Sequence, residues 1–208
     1  FVTMAIGQVL AVGTTTLVLQ LVDSGRVALD APVQRYLPQW RGERAESITV
    51  RQLLTHSAGL PAWRSFYKDA DDAAEARQQL LTVGPEARPG TRYRYSDVGF
   101  LLLGRLVEAL TGQRLDSAWD ARVARPLGLA ESGWLPAYEL RPAIAPTEFD
   151  SWRQVKVHGI VHDENAYRFG GVAGHAGLFA SADDLARVAQ LWLGGGTRGR
   201  VRLARAAT

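Results

Sequence analysis

The stretch Val98-Gly99-Phe100-Leu101-Leu102-Leu103-Gly104-Arg105-Leu106-Val107 constrains this chain most. Only Arg105, the following Glu108 and two glycines break its apolar surface, so a helix here has almost no solvent face and belongs at the centre of a fold. Ser96 or Asp97 can cap its N-terminus by accepting a backbone N–H, and Gly112 can close its C-terminus. Just before it runs Gly90-Thr91-Arg92-Tyr93-Arg94-Tyr95, an arm of alternating arginine and tyrosine. Tyr95 is thereby fixed at the mouth of a buried helix, with its hydroxyl directed beyond it. On residue type alone, a packed aromatic and a catalytic phenol both remain open there.

With 208 residues, 47% of them hydrophobic, the chain can bury a sizeable core as one or two domains. It contains no cysteine, which excludes disulfides and thiol chemistry. The basic residues are almost all arginine, and Arg198, Arg200, Arg202 and Arg205 crowd one end. No recognition motif accompanies that charge, so no nucleic-acid partner is expected. Residues 1–22 carry no charge, which is long enough to raise a membrane span. Gln8, Gln20, the Thr14-Thr15-Thr16 run and the glycines argue instead for a buried helix, and no membrane span is expected. A signal peptide would need a basic start, which is absent.

Elsewhere the pattern predicts a helix over Thr14–Asp23 stopped by Ser24-Gly25, and a short helix from Thr49 through His56 ended by Gly59 and Pro61. An exposed, alanine-rich helix is expected over Asp69–Thr82, and another over Leu115–Val123. An amphipathic helix is expected over Ala182–Leu193, with Ser181 and Asp184 as a capping box. Residues from Trp134 to Lys156 carry Pro136, Pro142 and Pro146 with little period, and read as a long surface excursion. Strand signal is scarce, so the fold class is mostly α.

Three blocks carry a resemblance. Tyr95-Ser96-Asp97 with Gly99-Phe100 and Leu102-Leu103-Gly104 resembles the second motif of the serine β-lactamase and penicillin-binding-protein family, in its class C-like branch. Residues 48–61 (ITVRQLLTHSAGLP) resemble the segment that precedes that motif. Gly170-Gly171-Val172-Ala173-Gly174-His175-Ala176-Gly177-Leu178-Phe179 with Ser181-Ala182-Asp183-Asp184-Leu185 resembles one that follows. The order is the family's, and the similarity runs from about Val12 onward. It implies a single partial β-lactamase-like domain over 1–208, with residues 1–11 a divergent start. The expected fold is the helical lobe of the α/β β-lactamase/transpeptidase-like fold, with most of the flanking antiparallel sheet absent. A lobe deprived of its sheet would expose apolar faces, with instability or oligomerisation as the consequence.

The resemblance also implies a chemistry. The family forms an acyl-serine through Ser-x-x-Lys at the start of a buried helix, where one turn sets both side chains on one face. The tyrosine of the second motif assists proton transfer, and a later Lys/His-Thr-Gly motif binds substrate. Here the nucleophile and lysine positions fall on Gln8 and Ala11, or in a shifted register on Ala5 and Gln8. Neither alignment supplies a serine or a lysine, and the third motif is also missing. Tyr95 is the catalytic residue carried over. Asp97, where the family usually has asparagine, and His175, among small residues, are the substrate-binding candidates. An ionised acid at 97 cannot donate a hydrogen bond.

The reading is therefore a β-lactamase-related serine hydrolase, represented by an inactive fragment. No cofactor is implied; the substrate would be a small molecule or of peptidoglycan type, and the family implies action outside the cytoplasm. A non-catalytic ligand-binding pseudoenzyme is the alternative. One literal Ser-x-x-Lys does occur, at Ser65-Phe66-Tyr67-Lys68, but Asp69, Asp71 and Asp72 beside it would solvate such a site. His158, His162 and His175 with Asp163 and Glu164 raise a third possibility, a metal hydrolase. Gly159 weakens a helix there, so the segment around Val161–Ala166 reads as a loop at the rim of the site and no metal is assigned. His56 reads as a structural histidine bonded to backbone.

Overall fold

A computed structural model describes residues 7–205, with side chains from residue 12 onward. The apolar run forms a helix whose place in the fold follows from its composition. In chain order the helices are α1 (Gly7–Asp23), α2 (Val50–Leu54), α3 (Phe66–Asp69), α4 (Ala73–Leu80) and α5 (Asp97–Thr111). Then α6 (Leu115–Trp119) passes through a π-helical stretch (Asp120–Ala124) into α7 (Arg125–Leu127), and α8 (Glu164–Arg168) and α9 (Ala182–Leu193) follow. The strands are β1 (Gly133–Trp134), β2 (Phe149–Asp150), β3 (Val155–Lys156), β4 (Leu178–Phe179), β5 (Thr197–Arg198) and β6 (Val201–Arg202). Among the described residues they make three separate antiparallel pairs, β1–β4, β2–β3 and β5–β6. Helices thus dominate, with small antiparallel sheets beside them.

α5 is the centre. Val98 through Gly104, with Leu106 and Val107, are all buried, and α1, α2, α4 and α6 pack around it. Ser96 caps it by accepting the Gly99 N–H at 3.1 Å, and Gly112 closes it in the left-handed conformation at φ 68°. α1 lies against it through buried Leu17, Val18 and Leu21. No helix among the described residues is long and apolar enough to cross a membrane.

Local chemistry revises several boundaries. α1 extends back to Gly7, a turn and more before Thr14. Of the two alternative nucleophile registers, Ala5 lies outside the described residues, and for Gln8 and Ala11 only the backbone within α1 is described. Thr49 and Gln52 form the reciprocal capping box that starts α2, but the helix stops at Leu54, because His56 takes a left-handed φ of 54°. The predicted helix over Asp69–Thr82 breaks after α3. It restarts at Ala73, where Asp72 accepts the N–H groups of Ala74 and Glu75, and its Ala76 and Leu80 are buried rather than exposed. Ser181 caps α9, yet Asp184 does not complete a capping box. Its carboxylate accepts the Glu131 N–H at 2.8 Å.

The excursion over residues 134–156 is not plain loop. It begins in β1, contains a 3-10 turn at Tyr138–Ala143 and ends in the β2–β3 hairpin, with Phe149 paired to Lys156. Leu135, Tyr138, Leu140, Phe149 and Val155 are its exposed apolar side chains, so exposed apolar surface concentrates there rather than over the helices. Trp134, Leu135, Leu140, Ile144 and Phe179 line a cavity of about 470 Å³ in this region.

The glycine-rich loop at 170–177 fits between α5 and β1. A Cβ on Gly174 would stand 2.0 Å from the Phe100 carbonyl oxygen, and one on Gly104 would stand 3.0 Å from the Gly174 Cα. Thr14 of α1 donates to the Gly174 carbonyl at 2.7 Å, and the Trp134 indole donates to the Ala176 carbonyl at 3.2 Å. Gly174→Ala therefore forces the loop away from α5. Urea unfolding of this variant should show a loss of about 1–3 kcal/mol, more than Gly133→Ala, whose Cβ meets nothing within 4 Å and whose backbone is not left-handed.

Candidate active site

Two backbone hydrogen bonds hold the entry to α5. The Ser96 hydroxyl donates to the Pro61 carbonyl at 2.7 Å, and the Asp97 N–H donates to the Ala62 carbonyl at 2.9 Å. His56 anchors the same turn: its Nδ1 accepts the Ser96 N–H at 3.0 Å and its carbonyl accepts the Arg94 N–H at 2.8 Å. An Nδ1 that accepts leaves the proton of the neutral ring on Nε2. Burial keeps His56 below the ordinary histidine range, against an upward pull from Asp97. His56 is thus bonded to backbone as expected, and it also supports Tyr95, whose ring lies 4.6 Å from the imidazole between centroids.

Tyr95 is 42% exposed, so its hydroxyl is reachable. Partial burial, then the charge of Asp97 and a hydrogen bond with it, then Asp163 and Tyr93, push its pKa up to about 12. At neutral pH it is a phenol, a donor and proton carrier rather than a standing base. The carboxyl of Asp97 is itself held above its ordinary range. Burial acts first and Asp163 adds to it, while His175, the Tyr95 hydrogen bond and His56 pull the other way.

His175 is buried, and its Nε2 lies 3.0 Å from Oδ1 of Asp163. Asp163 caps α8 by accepting the Ala166 N–H at 2.7 Å. Burial alone would raise that carboxyl. The hydrogen bond and charge of His175, the Ala166 N–H and the charge of His162 together bring it below the usual carboxylate range. Tyr95, Asp97 and His175 are therefore brought into one electrostatic neighbourhood, with Asp163 as a member that the sequence suggested first as part of a metal site and then as part of a rim loop. Asp163 followed by Glu164 is an N-cap with an acid in the first turn, the local signal that could have marked it.

The other candidates do not join this group. His158 bonds the Ile144 carbonyl at 2.7 Å and His162 bonds Glu148 at 2.8 Å, so the three histidines have three different partners. Among the described residues no group of three or more such side chains is placed to hold a metal ion. Ser65 donates to Asp69 at 2.7 Å, while the Lys68 ammonium lies over the Tyr67 ring at 5.3 Å. The literal Ser-x-x-Lys is thus no nucleophile–base pair, because its hydroxyl is bonded to a carboxylate. α3 serves instead as an anchor: Asn165 of α8 accepts the Tyr67 N–H at 3.0 Å and donates to the Arg64 carbonyl at 2.7 Å.

The arrangement has counterparts. Residues 12–208 match the Beta-lactamase family. The chain belongs to this family. A protein of Escherichia coli K12 with the provisional name D-alanyl-D-alanine carboxypeptidase is 34% identical over 91% of this chain and 50% of its own length. A similarly named protein of Salmonella agona is 31% identical over 88% of this chain and 49% of its own. The chain therefore spans about half the length of the curated relatives it matches. A class C β-lactamase structure superimposes with a TM-score of 0.76 at 21% identity, over 93% of this chain and 51% of the other. The octameric penicillin-binding protein homologue of Pyrococcus abyssi gives 0.74 at 21% identity, over 99% and 47%. At this identity the two structures establish a shared β-lactamase/transpeptidase fold.

Within this Beta-lactamase family member, Tyr95 should ionise well above the ordinary tyrosine range. Its folded value lies above the unfolded value of about 10. Its contribution to stability is thus present below about pH 10 and is lost as the pH rises through about 12. Ultraviolet titration should show a phenolate step near pH 12 that Tyr95→Phe removes. A step for Tyr95 at the ordinary value would mean that Asp97 and Asp163 do not surround it.

Proposed function

We propose that these residues form the tyrosine-bearing side of a serine-hydrolase acyl-transfer site, acting on an amide or ester of peptidoglycan type. The observation that carries this reading is Tyr95, reachable at the mouth of a buried helix, with the charge of Asp97 acting on its phenol. Membership of the Beta-lactamase family and the names of its relatives support it. A peptidoglycan-type substrate places the reaction outside the cytoplasmic membrane.

In this role the Tyr95 phenol carries a proton between an attacking serine hydroxyl and the leaving group. Its high pKa shows what the chemistry needs: a cation beside the phenol, to offset Asp97 and Asp163 while the proton is away. The Ser-x-x-Lys motif supplies such a cation in the family, and the 208 residues hold that motif only at Ser65–Lys68, where it does not fit. These 208 residues by themselves are expected not to acylate. Asp97, when ionised, accepts an amide N–H of the substrate, and His175 lies beside it. A binding module that holds the ligand without reacting is the second reading, favoured by the same lack of a fitting nucleophile.

Two experiments test this. Intact mass after incubation with benzylpenicillin or p-nitrophenyl acetate should be unchanged; an adduct on Ser65 would overturn the assignment. Residues 12–205 joined to flanking segments from a family member that carries Ser-x-x-Lys should then acylate. In that chimera Tyr95→Phe should lower kcat roughly 10²–10⁴-fold. An active chimera indifferent to Tyr95→Phe sinks the proposal, and calorimetric binding without turnover in the chimera favours the binding module.

A further inference from the structure

His175 is almost wholly enclosed, its side chain 2% exposed, yet only one ring nitrogen is satisfied. Nε2 faces Asp163 at 3.0 Å. Nδ1 is shut off from solvent and has no hydrogen-bond partner among the described residues. Burying such an atom unpaired is costly, and unpaired polar atoms of this kind call for a reason.

Both ends of the pair are fixed. Oδ1 of Asp163 also accepts the Ala166 N–H, and α8 behind it is tied by Asn165 to Arg64 and Tyr67. The backbone beside His175 is locked to α5 by the close approach of Gly174 to Phe100 and by the Thr14 hydrogen bond. In the neutral ring, a carboxylate oxygen that accepts from it places the proton on Nε2 and leaves Nδ1 with its lone pair. This is the logic by which a carboxylate orients an imidazole in metal and catalytic sites.

We propose that Asp163 is a positioning residue for the Tyr95–Asp97 site: it holds the neutral His175 ring in the Nε2–H tautomer, with Nδ1 left unprotonated. This rests on the reading of Tyr95 as the centre of the site. The ionisable groups that meet there are Tyr93, Tyr95 and Asp97 at and before the start of α5, His56 after α2, Asp163 with His162 before α8, and His175 in the glycine-rich loop. Asp163 raises both Tyr95 and Asp97 through its charge, and His175 lowers Asp97. The pair thus acts on the site as well as on the ring.

Nuclear magnetic resonance of the whole chain tests this without substrate. Nitrogen spectra of the neutral wild-type protein should show His175 with its proton on Nε2. Asp163→Asn keeps a capping oxygen but removes the charge. It should lower the Tyr95 midpoint from about 12 by roughly half a unit and let the other His175 tautomer appear. His175→Gln should raise the Asp97 midpoint. His56, whose Nδ1 is held by the Ser96 N–H, should keep its tautomer in both variants. A wild-type Nδ1–H tautomer overturns the inference, as does a Tyr95 midpoint unmoved in a folded Asp163→Asn protein. If that variant fails to fold, the wild-type tautomer alone decides. An active chimera indifferent to Tyr95 sinks the functional reading instead, so the two failures are distinguishable.

Discussion

The close approach of the Gly174 backbone to α5 is the contact on which the rest of the site depends. With a Cβ 2.0 Å from the Phe100 oxygen ruled out, only glycine lets the 170–177 loop lie this deep against the helix. That depth brings His175 into the electrostatic range of Asp97, and it lets Thr14 reach the Gly174 carbonyl. One helix, one loop and α1 are thereby fixed together, and the chemistry at the mouth of α5 inherits their rigidity.

The charge balance of the site follows from that geometry. Asp97 and Asp163 both push Tyr95 upward, and His175 and His56 moderate Asp97. The result is a phenol that holds its proton firmly and a carboxyl that resists ionisation. Such a group is suited to carry a proton once a cation stands nearby, and unsuited to act as a base without one. The acceptor character of an ionised Asp97 favours ligands that bring N–H groups.

The regions outside this core have separate tasks. α3 and α8 are short, and Asn165 binds them by two hydrogen bonds. This clamp explains Ser65–Lys68 better than nucleophilic chemistry does, since Ser65 is occupied by Asp69. The 134–156 segment carries five exposed large apolar side chains, Leu135, Tyr138, Leu140, Phe149 and Val155, while Trp134 at its start supports the glycine-rich loop through the Ala176 carbonyl.

Much of this was legible in the sequence. The apolar run of α5, its cap at Ser96, its stop at Gly112 and the Thr49 cap of α2 are local, and each depends on residues within a few positions of one another. The three ordered blocks carried the family, and Tyr95 with it. Helix ends were less legible: His56 at its left-handed turn is bonded to Ser96, far along the chain, while the break before Ala73 is set by the local Asp72 cap, which a periodic pattern does not register. What the sequence alone determined is which helix is buried and which tyrosine stands at its mouth, because burial and capping are written in neighbouring residues. Only the tertiary structure decided that Asp163 holds His175, that Ser65 ignores Lys68, and that Tyr95 sits among carboxylates. Those facts depend on distances between side chains set by how the loops pack, which spacing along the chain does not encode.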